Sequence, residues 1–257
     1  MKLRVLVVDD VDANRLLAQA LLRRFGHACE LATSGLEAVQ KAIAGRFDVV
    51  LMDVQMRDLN GLEAARRIHA QLGAAAPRII AVTANALPGD RERCLAAGMD
   101  DYLSKPIQIE ALRAAIERTG VTTVAAAPPA APAPAPAAAA EAIDWRRIES
   151  LKPFDADGSM VAAAIAAFLN DAPARIRAIR QAHVADDAAG LAAAAHALGG
   201  AAANIGAARL RQLSLAIEGF AQEGRLEDAR QSIAALEQSL AEARAALAAG
   251  GRISRGS

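Results

Sequence analysis

Two kinds of hydrophobic pattern divide the chain. In the N-terminal half, short unbroken apolar runs (LRVLVV, FDVVLM and RIIAV) alternate with longer stretches whose apolar residues recur every three to four positions. Unbroken runs of this length fit strands buried on both faces, as in a parallel sheet covered by helices. Weaker runs, ACELA and DYLS, fill the second and fifth strand places. The periodic stretches predict helices over residues 11–25, 36–44, 62–72, 88–97 and 107–118, the first with Leu16, Leu17, Ala20, Leu21 and Phe25 on one face. Five strands alternating with five helices imply a doubly wound α/β domain with a five-stranded parallel sheet. The C-terminal half has no strand signal. Its periodicity predicts helices over 143–151, 159–183, 186–203, 207–222 and 226–248, joined by short loops that make neighbours antiparallel, hence an all-α bundle.

Composition locates the boundary. The stretch TVAAAPPAAPAPAPAAAAE holds five of the ten prolines between positions 128 and 136. Alternating Ala-Pro cannot form a packed core and favours extended polyproline geometry. The expected organisation is therefore a first domain over 1–119, a linker over 120–141, a helical bundle over 142–249 and a tail over 250–257.

Charge narrows the classes of partner. With 29 basic and 29 acidic residues, the chain has no bulk electrostatic grip on nucleic acid or an anionic membrane. Aromatic residues make up 3% of it, too few for base-stacking platforms. No apolar run reaches membrane-spanning length, and acids end the first run, which reads as a strand rather than a signal peptide. The two cysteines, Cys29 and Cys94, read as reduced thiols of a cytoplasmic protein.

Open parallel sheets bind ligands at the carboxyl ends of their strands, and here those ends carry chemistry. Asp9 and Asp10 finish the first run, Asp53 the third, Thr83 the fourth, and Lys105 with Pro106 the fifth. Three converging carboxylates repel one another, and a hard divalent cation such as Mg²⁺ resolves the repulsion. Lys105 and Thr83 add a positive charge and a donor for an anion beside the metal. This is a kit for phosphoryl transfer to a carboxylate.

The segments VLVVDDVDANR, DVVLMDVQM, GLEAARRI, VTANA and DDYLSKPI together resemble a response-regulator receiver domain, whose sheet is flavodoxin-like. The resemblance implies that Asp53 is the phosphoacceptor, and that Asp9, Asp10, Asp53 and the backbone carbonyl of Gln55 hold Mg²⁺. It also implies that Thr83 and Lys105 contact the phosphoryl group, that Tyr102 and Thr83 form the switch pair, and that the Lys105–Pro106 peptide is cis. Arg57 departs from the family, which usually has proline there.

Of the four histidines, His27 and His69 lack partners at metal-ligand or triad spacing, and His183 lies on an apolar stripe with Ile176 and Ile179. His196 differs. By helical phase, Leu191 and Leu198 lie about 140° and 160° from it, which points the imidazole outward. Its neighbours at three and four residues are Ala192, Ala193, Gly199 and Gly200, a bare shelf on which another protein could dock close to the ring. Phase alone leaves open an incidental surface histidine. The stretch AHALGGAAANIGAARL resembles the signature of a histidine phosphotransfer (HPt) domain, a four-helix bundle. That resemblance implies that His196 is a phosphoacceptor. Gly199 stands where the family usually has lysine or another polar residue.

The expected function is a phosphorelay protein. Asp53 accepts a phosphoryl group from a sensor histidine kinase or phosphohistidine partner, and His196 exchanges one with a receiver aspartate, its own or that of another receiver or HPt protein. The sequence carries no glycine-rich ATP-binding segment, so a non-enzymatic signalling role is expected. The alternative is a receiver-gated adaptor whose helical domain binds a partner without phosphorylation of His196. A phosphatase with an aspartyl nucleophile fits poorly, because its paired acids would be one residue apart, and a DNA-binding output lacks a basic recognition helix.

Overall fold

The first apolar runs are buried along their length, Arg4 excepted, which is what a sheet covered on both faces requires. In the computed structural model, residues 2–56, 58–83, 90–118, 141–155 and 157–253 are described. The strands are β1 (Arg4–Val8), β2 (Ala28–Ala32), β3 (Val49–Asp53), β4 (Arg78–Thr83) and β5 (Asp101–Ser104). Between and after them run α1 (Asp12–Arg24), α2 (Gly35–Ala44), α3 (Gly61–Leu72), α4 (Asp90–Ala96) and α5 (Ile109–Glu117). All pairings are parallel, in the order β2-β1-β3-β4-β5. The expected flavodoxin-like sheet is therefore present.

This order reverses direction between β1 and β3, and the crevice outside the strand ends at such a point is where open sheets bind ligands. Register brings the ends level: Val8 pairs with Met52, Asp53 with Val82, and Thr83 with Ser104. Asp9, Asp53, Thr83 and Lys105 thus fall at one rim.

The face of α1 differs from the one expected. Leu16 is exposed and Ala20 half-buried, whereas Asn14 and Arg15 join Ala13, Leu17, Ala18, Leu21 and Leu22 in the interior. The apolar count placed the stripe too far round, because the two buried polar residues do not register as core. Both turn towards the acidic rim.

The second unit is a bundle of α7 (Ser159–Val184), α8 (Ala188–Asn204), α9 (Ala208–Gln222) and α10 (Arg230–Ile253), preceded by the short α6 (Trp145–Leu151). Each long helix packs against the next and α10 returns to α7, closing a four-helix ring. The helix α10 continues to Ile253, so the expected tail at 250–257 is helical over its first residues. A 3₁₀ turn at Leu226–Ala229 precedes it, and His183 Nε2 lies 3.0 Å from the Leu226 carbonyl there. Among the expected features, the linker up to residue 140, Arg57 and the first residues of the helix expected from 88 lie outside the described residues.

The Asn-Ile-Gly turn between α8 and α9 has a specific demand. Gly206 has φ of +73°, and a Cβ there would come within 2.6 Å of the Asp144 carbonyl. That close approach lets the Asp144 amide donate to the Gly206 carbonyl at 2.6 Å and Arg147 Nε to the Asn204 carbonyl at 3.3 Å, pinning α6 over the corner. Gly206→Ala should cost roughly 1–3 kcal/mol of stability from left-handed strain and overpacking. Urea denaturation of the two proteins, followed by circular dichroism, measures it; an unchanged midpoint would refute this account of the turn.

Candidate functional site

The strand ends create an electrostatic problem that the structure resolves with one lysine. Asp9 and Asp53 are buried and Asp10 is half-buried, and each can offer an oxygen within 4.8 Å of the others. Lys105 reaches between two of them from the loop after β5. Its Nζ lies 2.8 Å from Asp53 Oδ2 and 2.9 Å from Asp9 Oδ2. The Lys105 amide donates to the Thr83 carbonyl at 2.6 Å, which ties that loop to the end of β4. The Lys105–Pro106 peptide is cis.

Burial alone would pull the Lys105 ammonium down. The charges of Asp53 and Asp9, and the hydrogen bonds they accept, outweigh it and hold the group above the ordinary lysine value. A lysine raised in the fold stabilises fully below its unfolded value of about 10.4 and loses that contribution only as pH rises through the higher folded value. The ammonium is therefore constant across physiological pH. Among these four described side chains, three formal carboxylate charges against one ammonium leave two negative charges, a donor set suited to a hard divalent cation with oxygen ligands. Asp9, Asp10 and Asp53 are the side chains that would hold it.

Around this cluster, the Gln55 amide donates to Asp53 Oδ1 at 3.1 Å, folding the loop after β3 back over the carboxylate. The Gly61 amide closes the same loop onto the Val54 carbonyl at 3.0 Å. A Cβ at Gly61 would collide with the Asp53 carbonyl, so glycine is required where α3 begins. Thr83 is buried at the rim. Tyr102 is half-buried against the core cluster that includes Ala81, Cys94 and Met99.

His196 corrects the sequence reading. The imidazole is not outward: it is 5% exposed, with Nδ1 3.1 Å from Glu218 Oε1 on α9. Nε2 is shielded from solvent and has no hydrogen-bond partner. Gly199 and Gly200 are buried as well. A Cβ at Gly199 would come within 3.1 Å of Ser214 Cβ, so this glycine serves the close approach of α8 to α9 rather than an open shelf. Of the proposed docking surface, Ala193 is exposed and Ala192 half-buried. The physical reason is alanine. Helix α8 is small-sided almost all round and packs on both α7 and α9, so the leucine stripe marks only one of its two covered faces.

Comparison with known proteins agrees with this geometry. Residues 5–117 match the model of the response regulator receiver domain, and residues 163–246 match that of the Hpt domain. The chain joins a receiver domain to an Hpt domain. Both are phosphotransfer signalling modules. Among curated relatives, the histidine-protein kinase BarA of Escherichia coli is 44% identical over 112 residues, covering 44% of this chain and 12% of BarA. The sensor protein ArcB of the same species is 37% identical over 117 residues, covering 45% of this chain and 15% of ArcB. The chain thus spans only a small part of these relatives. The solved receiver domain of the Pseudomonas aeruginosa kinase PA1611, which carries a magnesium ion in its active-site cleft, is 42% identical. It covers 46% of this chain and 97% of that domain, with a TM-score of 0.43.

Three residues of the two sites escaped the sequence reading. Asn14 and Arg15 follow Asp9 by five and six positions, where the first turns of α1 bring them back over the strand end. Glu218 could have been found by counting. His196 lies eight residues before Asn204 and Glu218 ten after Ala208, so at ~1.5 Å per residue an antiparallel pair sets them almost level. Among described residues no helix is long and apolar enough to cross a membrane. The receiver pocket yields a direct test. Lys105→Met should destabilise the metal-free receiver by about 3–5 kcal/mol, because the buried acids lose their partner. Added Mg²⁺ should raise its melting temperature more than it raises that of the parent. Equal Mg²⁺ responses would show that Lys105 does not offset the charge of the acid cluster.

Proposed function

We propose that this chain is a phosphorelay intermediary in which Asp53 and His196 both carry the phosphoryl group. The observation that supports it most is the convergence of Asp9, Asp10, Asp53 and Lys105 at one rim of the receiver sheet. In the receiver step, a carboxylate oxygen of Asp53 attacks phosphorus in a phosphohistidine partner. The P–O bond forms as the P–N bond breaks, and the imidazole leaves with its electron pair. Lys105 remains charged and turns from Asp53 to the oxygens of the incoming group, with Thr83 as a second donor. Mg²⁺, when bound by Asp9, Asp10, Asp53 and the Gln55 carbonyl, supplies charge stabilisation to those oxygens. Thr83 and Tyr102 are then the pair whose rearrangement signals the phosphorylated state.

In the second step the roles reverse. An imidazole nitrogen of His196 attacks the aspartyl phosphate and the carboxylate departs. Glu218 accepts from Nδ1–H, which fixes the tautomer and leaves the lone pair on Nε2. Attack from Nε2 requires the ring to swing out of its buried position, with Ala192 and Ala193 on the approach side. The receiver aspartate is either Asp53 of the same chain, with the linker setting an effective concentration of about mM order, or that of a partner. A sensor histidine kinase is the expected upstream donor of this cytoplasmic protein, with other receiver or HPt proteins as exchange partners and no nucleic acid or membrane involved. The receiver assists its own phosphorylation and is otherwise not an enzyme.

The second reading, an adaptor in which His196 is structural, draws on the burial of Nε2 and on glycine at position 199. The Hpt match over residues 163–246 stands on the side of the relay. Chemical stability of the label separates the two. After incubation with a phosphorylated kinase or receiver, the parent should carry alkali-labile phosphate that Asp53→Asn removes, and acid-labile, alkali-stable phosphate that His196→Gln removes. An absence of alkali-stable label with every donor tried would leave the adaptor standing.

A further inference from the structure

The first helix of the receiver places a neutral side chain against the acid cluster that neither the sequence motif nor the charge count explains. Asn14 lies in α1 and is 2% exposed. A buried amide costs free energy unless its groups are bonded. Here Nδ2 lies 3.0 Å from both Oδ1 and Oδ2 of Asp9. The Val11 amide donates to Oδ1 at 2.9 Å, and Lys105 Nζ to Oδ2 at 2.9 Å. Next to it, Arg15 Nη1 donates to the Asp9 carbonyl at 2.5 Å and Nη2 pairs with Asp12. Main chain and side chain of Asp9 are both held from the same turn of α1.

We propose that Asn14 is a positioning residue of the receiver's cation site: its amide fixes the plane of the Asp9 carboxylate without adding charge. The inference rests on Asp9, Asp10 and Asp53 being that site. Its physical content is a division of labour. Lys105 is shared between Asp9 and Asp53, so when it turns to a phosphoryl group Asp9 loses a charged anchor. A lysine or arginine at position 14 would keep Asp9 in place but cancel the charge that draws in the cation. An amide orients the carboxylate by hydrogen bonding and leaves its negative charge intact. Arg15 can afford a charge because it binds the Asp9 carbonyl and Asp12 rather than the Asp9 carboxylate.

The test uses the full chain and titration calorimetry with MgCl₂. Asn14→Ala should weaken Mg²⁺ binding about tenfold, at the low end of what losing an outer-shell partner costs a metal site. Asn14→Ser, which keeps a neutral donor on a shorter arm, should recover part of the loss, and it carries the measurement if the alanine variant does not fold. Asp10→Asn is the control for the site itself. If it abolishes binding while both Asn14 variants stay within twofold of the parent, Asn14 is merely structural and the proposal fails alone. If Asp10→Asn leaves Mg²⁺ binding intact, the site assignment fails and takes the proposal with it.

Discussion

The receiver is organised around one buried ammonium. Lys105 lies 2.8–2.9 Å from two carboxylates that the parallel register forces together, with a third close by. Without that cation, Asp9 and Asp53 would be desolvated and mutually repelled, which would destabilise the strand ends. With it, the cluster keeps a residual negative charge suited to a divalent ion, and the ammonium is already within reach of whatever binds Asp53. The same group that stabilises the pocket touches Asp53 directly.

The supports of this arrangement come from backbone geometry as much as from charge. The Lys105 amide bonds the Thr83 carbonyl, the Gln55 amide covers Asp53, and Gly61 lets α3 start against the Asp53 carbonyl. Asn14 and Arg15 secure Asp9 from the opposite side. The Gln55 and Asn14 contacts orient the Asp53 and Asp9 carboxylates, and the others fix the backbone that carries them.

The bundle handles its histidine differently. A single carboxylate, Glu218, holds one ring nitrogen while packing covers the other. The helices approach closely because Gly199 faces Ser214, and a longer side chain at that position would separate them. The glycine that removes the family's usual polar residue therefore also permits the contact that buries the imidazole.

The fold class, the five strands, the four long helices and the residues at the strand ends were all legible in the sequence, because period and turn residues report local structure directly. Asp9, Asp10, Asp53 and Lys105 were legible for the same reason: each ends or follows a strand, and strand ends of an open sheet share a rim. Tertiary structure alone decided which polar residues face inward. His196 looked like the solvent side of α8, because a helical wheel records only the face marked by large apolar groups, whereas Asn14 and Arg15 are drawn inward by their bonds to Asp9. A helix of alanine and glycine has no such mark on its second covered face, and a polar side chain is buried when a partner on another element satisfies it. Those partners, Asp9 for Asn14 and Glu218 for His196, exist only once the chain has folded.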